Sequence, residues 1–236
     1  MIVFHHIPKS AGTSFSVAIT QANDAPSLMV GAEGLAAYDN DRILTSSYLA
    51  GHVTYPEIAP LIEGRETLHF SVLRHPLERL ISYFEMAYRD IDLFRDEVCH
   101  RDKWSVGFEV FLDRFIDTPG LNNLMCSYFH TSRSFYDAIK VITEKFDFVG
   151  GMDNLGAVED FLAHALPTHG LAVPDAYPKR NVSSKGEPFW RDMPGHLLDR
   201  VRTSNKEDFL LFDWLMTRHQ GAYWRPGAEY SRQDAA

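Results

Sequence analysis

The first fifteen residues limit the possible folds of this chain more than any other stretch does. A short apolar run that is rich in strand formers, residues 2–7, comes first, and a segment with helical character starts at Phe15. Between them lies Pro8-Lys9-Ser10-Ala11-Gly12-Thr13-Ser14, a loop with one cation, two small residues and three hydroxyls. Thr13 or Ser14 is in position to cap the helix. Strand, tight loop and helix in this order predict the opening unit of an α/β sheet.

This loop is a candidate site for an anion. Its amides and the positive end of the helix dipole favour negative charge, and Gly12 allows a close approach of the backbone. Lys9 adds a mobile positive charge, while Ser10, Thr13 and Ser14 add hydroxyl donors. The Walker A loop of nucleotide-binding proteins ends in Gly-Lys-Ser/Thr, whereas here the lysine precedes the glycine. The match to the Walker A loop is therefore poor, and an ordinary strand-to-helix turn that happens to contain a lysine and hydroxyls is the alternative to an anion site.

The composition fits one α/β domain. The chain has 236 residues, of which 45% are hydrophobic and 13% aromatic, which is enough for a core. A net charge of −9 argues against general binding to nucleic acid or anionic membranes, but it allows a local basic pocket. Cys99 and Cys126 lack metal-site spacing, and buried free thiols are favoured over a disulfide. No cluster of carboxylates and histidines suggests a metal, and no leader or anchor precedes the first strand, so we expect a soluble, cytoplasmic protein.

Apolar periodicity predicts alternating strands and helices along the rest of the chain. Further strands are predicted at residues 43–50, 67–73 and 146–150. Helices are predicted at residues 56–62, from Pro76, at 108–115, at 121–129, at 135–142, at 157–165, and after a capping box at 204–207. Residues 23–42, with a short helix near Leu35, and residues 167–191 are predicted loops. We expect a P-loop-like parallel sheet with helices on both faces, in a single domain at 1–220, and a poorly ordered tail at 221–236.

Three residues that carry chemistry directly follow predicted strands, namely Lys9, His52 and Arg74. Ligands of parallel sheets bind at the carboxyl ends of the strands, so the three should face one crevice if their strands are neighbours. Histidine suits a general base because its unperturbed pKa is about 6.5. His5 and His6, at the end of the first strand, compete with His52 for that role, while His69 lies mid-strand and is expected in the core.

The segment from Ser71 to Phe84 holds a second candidate anion site. Arg74 leaves the predicted strand, and Ser82 lies two turns into the following helix. A guanidinium and a hydroxyl in this arrangement can bind a phosphate together. The alternative is that Arg74 forms a surface ion pair and that Ser82 is an ordinary exposed serine.

Together these segments resemble the sulfotransferases that use 3′-phosphoadenosine 5′-phosphosulfate (PAPS). The loop from Pro8 to Ser14, including Ala11 and Gly12, is similar to the loop that binds the 5′-phosphosulfate in that family. Arg74 and Ser82 fall on the positions that bind the 3′-phosphate, although His75 stands where relatives usually have aspartate. Gly51-His52-Val53 resembles a segment of the heparan-sulfate uronyl 2-O-sulfotransferases, in which the histidine is the general base.

The resemblance implies an enzyme that moves a sulfuryl group from PAPS to a hydroxyl by in-line displacement and leaves the 3′,5′-bisphosphate (PAP). By this resemblance, Lys9 neutralises the negative charge that develops on the leaving bridging oxygen, and His52 accepts the proton of the attacking hydroxyl. The preferred acceptor is a carbohydrate. Lys185, in the basic loop 179–186, falls where relatives carry a loop that covers the cofactor, with a solvated basic loop as the alternative. Five aromatic residues are candidates either for stacking on a sugar or for the core: Tyr55, Tyr83, Tyr88, Phe94 and Trp104.

Two other classes of protein stay open at this point. A P-loop kinase that acts on a small molecule would use the same strand-loop-helix unit, but the chain lacks Gly-Lys-Ser/Thr. A binding module could hold a nucleotide without catalysis. If His52 is not the base, the candidates are His5, His6 and Glu78.

Overall fold

A computed structural model describes residues 1–90, 107–178 and 193–227 of the chain, and a six-stranded sheet organises them. The strands are β1 (Ile2–His5), β2 (Ser27–Val30), β3 (Tyr48–Gly51), β4 (Leu68–Leu73), β5 (Phe148–Gly151) and β6 (Ala222–Trp224). Their order in the sheet is β2-β3-β1-β4-β5-β6. The first five strands run parallel and β6 pairs antiparallel with β5. The predicted α/β class with a parallel sheet is therefore confirmed.

Helices connect the strands. The first five are α1 (Gly12–Gln21), α2 (Asn40–Thr45), α3 (Tyr55–Ile58), α4 (Pro76–Asp90) and α5 (Phe108–Phe115). The other five are α6 (Leu124–Phe129), α7 (Phe135–Lys145), α8 (Leu155–Thr168), α9 (Gly195–Ser204) and α10 (Lys206–His219). None of these described helices combines the length and the apolar character that crossing a bilayer requires.

The core lies on both faces of the sheet, because successive side chains of a strand point to opposite faces. Ile2 and Phe4 of β1 pack in one layer with α1 and α8, while Val3 packs on the other face with α2 and α3. Farther along that second face, Leu73 and Val149 pack with α6, α7 and α10. Helices α4, α5 and α9 form a further apolar cluster of their own. All residues of β1, β3, β4 and β5 are buried, as is usual for parallel strands covered on both sides.

Two strands lie where the sequence predicted none. β2 lies in the predicted loop 23–42, although the short helix near Leu35 is present as a 3₁₀ turn. Within the predicted strand 43–50, residues 43–45 belong to α2, and β3 begins only at Tyr48. Within the predicted tail 221–236, Ala222–Trp224 form β6 and pair with β5, while residues 228–236 lie outside the described residues. These short edge strands are stabilised by pairing with distant strands, which local periodicity does not reveal.

The predicted helix caps are wrong at two helices. α1 begins at Gly12, so the cap position falls on Ala11, and Thr13 and Ser14 lie in the first turn. At α10, no capping box forms within residues 204–207. Instead Oδ1 of Asn123, a residue from another element, accepts the amides of residues 207 and 208 at 3.0 and 3.3 Å. Tertiary contacts therefore provide the cap that the local sequence suggested.

Of the two cysteines, Cys126 is a buried free thiol, and burial raises its pKa. Cys99 lies outside the described residues.

Candidate active site

The carboxyl ends of β1, β3 and β4 meet at one edge of the sheet. In the strand register, His5 lies opposite Gly51 on one side and Ser71 on the other. Lys9, His52 and Arg74 follow these ends within a few residues, and all three line one cavity of about 630 Å³. The three residues share one crevice, as their positions after the strands predicted. A cavity of this volume is in the usual range for small-molecule sites.

Eight of the ten predicted site residues line this cavity, which we call the strand-end cavity: Lys9, Ala11, Gly12, Thr13, Ser14, His52, Arg74 and Ser82. Ser10 is not among its lining residues. The side chain of Ser10 is fully buried, and its Oγ has no hydrogen-bond partner among the residues that the structure describes. Lys185 lies outside the described residues.

The backbone of the loop adopts an unusual conformation. Lys9 and Ala11 have φ angles of 70° and 58°, in the left-handed region that residues with a Cβ rarely enter. Each residue in such a conformation costs about 1–3 kcal/mol of folding free energy, so it persists only where surrounding contacts hold it. Such residues cluster at functional sites. The left-handed Ala11 directly precedes the helical Gly12, a combination that turns successive amides to one side and forms an anion-binding concavity. The first turn of α1 adds further amides to that concavity, although the amide of Ser14 already donates to the carbonyl oxygen of Ala11 at 3.1 Å.

Gly12 is needed for a reason that the sequence did not reveal. A Cβ at this position would lie 2.0 Å from Cδ2 of His6, so the imidazole fills the space that the glycine leaves. The His6 ring also stacks on Phe4, with centroids 5.7 Å apart, and faces the His52 ring at 5.4 Å. Burial, and then the charges of His52 and Lys9, lower the pKa of His6 to about 3. His6 is therefore a neutral imidazole within the site at ordinary pH.

Gly51 positions His52 at the end of β3. Its φ of 134° suits glycine, and a Cβ there would lie 1.9 Å from the carbonyl oxygen of Val30 in β2. The amide of His52 donates to that same oxygen at 3.0 Å. The His52 side chain is partly buried. Burial lowers its pKa, and the negative charge of Glu33 acts in the opposite direction.

Arg74 connects the second candidate motif to the loop. Its Nη1 donates to the carbonyl oxygen of Lys9 at 3.2 Å, and its Nε donates to Glu78 at 3.3 Å. A guanidinium carries five N–H donors, and these contacts engage two of them. The surface ion pair that was the alternative interpretation is thus present, but Arg74 also lines the cavity with Ser82. The ring of His75 packs edge-on against Phe209 and Phe212 of α10.

The competing histidine His5 and its neighbour His69 are joined in a chain of buried hydrogen bonds. His5 Nδ1 lies 2.9 Å from the carbonyl oxygen of Val53, so this nitrogen carries a proton. Its Nε2 then accepts from Nδ1 of His69 at 2.9 Å, and Thr67 donates to the remaining nitrogen of His69 at 3.1 Å. Burial lowers the pKa of both histidines, that of His69 to about 4. This chain of neutral groups holds the backbone that follows His52.

Several lining residues were not identified from the sequence. Ala32 follows β2 within the predicted loop 23–42, where no site residue was expected. Met86, Leu124 and Met152 belong to none of the sequence motifs. His6 was considered only as a competing base. The Phe-His-His-Ile run could have indicated a second histidine at the strand end, but its contact with Gly12 depends on the tertiary structure.

Comparison with known proteins identifies the family. The model of the sulfotransferase family matches residues 1–214, and the chain belongs to that family. Among solved structures, mouse sulfotransferase SULT7A1 complexed with PAP is similar, with 15% sequence identity and a TM-score of 0.43. That match covers 86% of this chain and 63% of the mouse protein, so the chain spans less than two thirds of its length. No curated protein matches the sequence.

Proposed function

We propose that this protein transfers a sulfuryl group from PAPS to a hydroxyl of an acceptor. One observation carries the proposal: a single cavity joins two anion-binding groups, with a histidine beside them. The first group is Lys9 with the hydroxyls and amides at the start of α1. The second is Arg74 with Ser82. Two separate cationic positions on one cavity fit a nucleotide that carries phosphates at two places.

In this proposal the two groups of residues bind different parts of PAPS. PAPS would supply a sulfuryl group that is activated by its bond to phosphate. Lys9, Thr13, Ser14 and the loop amides would bind the 5′ end and neutralise the charge that develops there. Arg74 and Ser82 would bind the 3′-phosphate, for which the guanidinium has N–H donors beyond its contacts with Lys9 and Glu78. This division corresponds to the family motifs that the sequence resembles.

His52 is the general base in this proposal. A histidine whose pKa is lowered by burial stays neutral at pH 7 and can accept the proton of the attacking hydroxyl. His6 has an even lower pKa, of about 3, and is a poorer proton acceptor. His5 does not line the cavity and has both ring nitrogens engaged. Glu78 is occupied by Arg74.

The proposed acceptor is a carbohydrate, as in the uronyl 2-O-sulfotransferase branch. Among the five candidate stacking residues, Tyr83 lines the strand-end cavity and can present an aromatic face to a sugar. Tyr55 lines a different cavity, Tyr88 packs against Phe84, and the other two lie outside the described residues. Met86 and Leu124 also line the strand-end cavity, which favours an acceptor with an apolar body as the second candidate.

A ligand panel tests the proposal against a P-loop kinase and a nucleotide-binding module. We expect 3′,5′-bisphosphate to raise the melting temperature without magnesium, and to do so more than AMP or ATP with magnesium. At a ligand concentration 100 times its Kd, the stabilisation would be about 2.7 kcal/mol. A larger shift with ATP and magnesium would favour the kinase.

Turnover separates the enzyme from the binding module. With sulfur-labelled PAPS and a panel of saccharides, alcohols and phenols, the wild-type protein should transfer label to at least one class. His52→Ala should bind the bisphosphate normally and lose about 10²–10⁴ in turnover, the usual share of general-base catalysis. Replacing the exposed His164 by alanine is the matched control. Equal turnover in the two variants would remove His52 from the mechanism.

A further inference from the structure

The segment after β2 lies beside the proposed base. Val30 pairs with Gly51 in the sheet, and its carbonyl oxygen accepts the amide of His52. The chain continues from Val30 through Gly31 to Ala32, which lines the same cavity as His52. Glu33 is the next residue. The sheet therefore brings the Glu33 carboxylate within electrostatic range of His52, whose pKa the charge of Glu33 raises.

The carboxylate of Glu33 is fixed although it is exposed. Its Oε1 accepts the amide of Gly31 at 2.9 Å and the hydroxyl of Tyr38. That hydroxyl also lies 3.2 Å from the carbonyl oxygen of Met29, and the guanidinium of Arg42 lies over the Tyr38 ring at 5.1 Å. The hydrogen bond from Tyr38 first, and then those from the amides of Glu33 itself and of Gly31, lower the pKa of Glu33 to about 2. The group therefore carries its negative charge throughout the pH range in which a histidine titrates.

We propose that Glu33 is a positioning residue for His52: held by Tyr38 and Gly31, its carboxylate stabilises the positive charge that His52 gains when it takes a proton. The inference rests on the proposed function, in which His52 is the base. Burial disfavours a charged imidazole at His52, and the neighbouring His6 is neutral. A fixed carboxylate offsets that effect, as the third group of a nucleophile–base–carboxylate arrangement does.

Glu33→Gln tests the inference because it removes the charge and keeps an oxygen for Tyr38. The pKa of His52 is read by NMR titration of the imidazole, assigned from the signal missing in His52→Ala. In Glu33→Gln the pKa of His52 should fall, so the acid limb of the kcat profile should move to lower pH. The plateau of kcat should drop about 2–10-fold, because solvent screens an exposed charge, while the KM for PAPS stays unchanged. Tyr38→Phe should produce a smaller change in the same direction, and Glu63→Gln, at an exposed glutamate elsewhere, should change neither.

The outcomes separate the two proposals. An unchanged His52 titration in Glu33→Gln would overturn this inference, even if His52 proves essential. A uniform loss of kcat without a shift of the acid limb would also overturn it, because a purely structural role gives that result. Full turnover in His52→Ala would instead remove His52 from the proposed mechanism, whatever the titration shows, while no transfer of label by the wild-type protein to any acceptor class would overturn the proposed function itself.

Discussion

At the scale of single residues, the site depends on a pair in which one side chain fills the space that a glycine leaves. Gly12 and His6 are such a pair, because the imidazole occupies the volume of a side chain at position 12. The sequence suggested that Gly12 lets the backbone approach a phosphate. Its contact with His6 gives a second reason for the glycine, and the two reasons can be separated by experiment.

A double-mutant cycle should show this coupling. Gly12→Ala drives a methyl group into the His6 ring and should destabilise the protein by about 1–3 kcal/mol, the scale of overpacking. With His6→Ala the clash disappears, so the double variant should be more stable than the sum of the single effects predicts. Urea unfolding of the four proteins measures the coupling, for which neighbours usually give about 0.5–3 kcal/mol. Strict additivity would show that the clash is relieved in another way.

Arg74→Ala should weaken binding of the bisphosphate selectively. The loss should be about 1.5–3 kcal/mol, the scale of a hydrogen bond to a charged group, for 3′,5′-bisphosphate. A nucleotide without the 3′-phosphate, such as AMP, should bind almost as it does to the wild type. Isothermal calorimetry with both ligands checks this expectation. Equal losses for both would mean that Arg74 acts through its contact with Lys9 and not on the 3′-phosphate.

At the scale of elements, the wall of the cavity is held by helices that cap one another. Asp208 of α10 accepts the amides of Met125 and Cys126 in α6 at 3.0 and 2.9 Å, while Asn123, before α6, caps α10. Arg79 of α4 is fully buried, donates to the carbonyl oxygen of Leu121 at 3.2 Å and lies 3.9 Å from Asp208. This group holds the start of α6, from which Leu124 lines the cavity.

Arg79→Met should be strongly destabilising. It leaves Asp208 as a buried charge without its cation, which typically costs about 3–5 kcal/mol. Burial already raises the pKa of Asp208, and losing the arginine should raise it further. Since a carboxyl with a raised folded-state pKa loses stability as pH rises, the deficit should be larger at pH 7 than at pH 5.

The matched control for Arg79 is Arg200, whose pairing with Asp113 is exposed. Arg200→Met should cost about 1 kcal/mol or less. Chemical denaturation of both variants at the two pH values checks the comparison. If the two substitutions cost the same, the pair between Arg79 and Asp208 does not stabilise the helices.

At the scale of the whole molecule, β6 forms one edge of the sheet and packs against the core. β6 pairs with β5, its Tyr223 is buried, and the ring of Trp224 lies 5.0 Å from that of Phe148 and 5.7 Å from that of Phe161. The domain boundary predicted at residue 220 would therefore remove part of the core.

A chain that ends at residue 220 should be less stable than the full chain by at least about 3 kcal/mol, the scale of deleting one buried aromatic side chain. Thermal unfolding of the two proteins measures the difference. Tyr136→Ala, at an aromatic residue that is 78% exposed, should have little effect and serves as the control. Equal melting temperatures for the truncated and full chains would show that β6 is dispensable.

The sequence alone determined the features that depend on neighbouring residues. The alternation of strands and helices, the loop after β1, and the placement of Lys9, His52 and Arg74 after strand ends all follow from local periodicity and turn chemistry. The rule that parallel strands present their carboxyl ends together was enough to bring these three residues to one cavity. Most of the candidate site was therefore predictable.

Only the tertiary structure decided the features that depend on residues far apart in the chain. β2 lies in a stretch of polar and small residues and β6 has only three residues, so neither is recognised without its partner strand. The caps of α6 and α10 come from each other, and His6 fills the space beside Gly12. The proximity of Glu33 to His52 arises because β2 pairs with β3. Each of these contacts is stabilised by burial and hydrogen bonding that exist only after the chain has folded, so no local pattern encodes them.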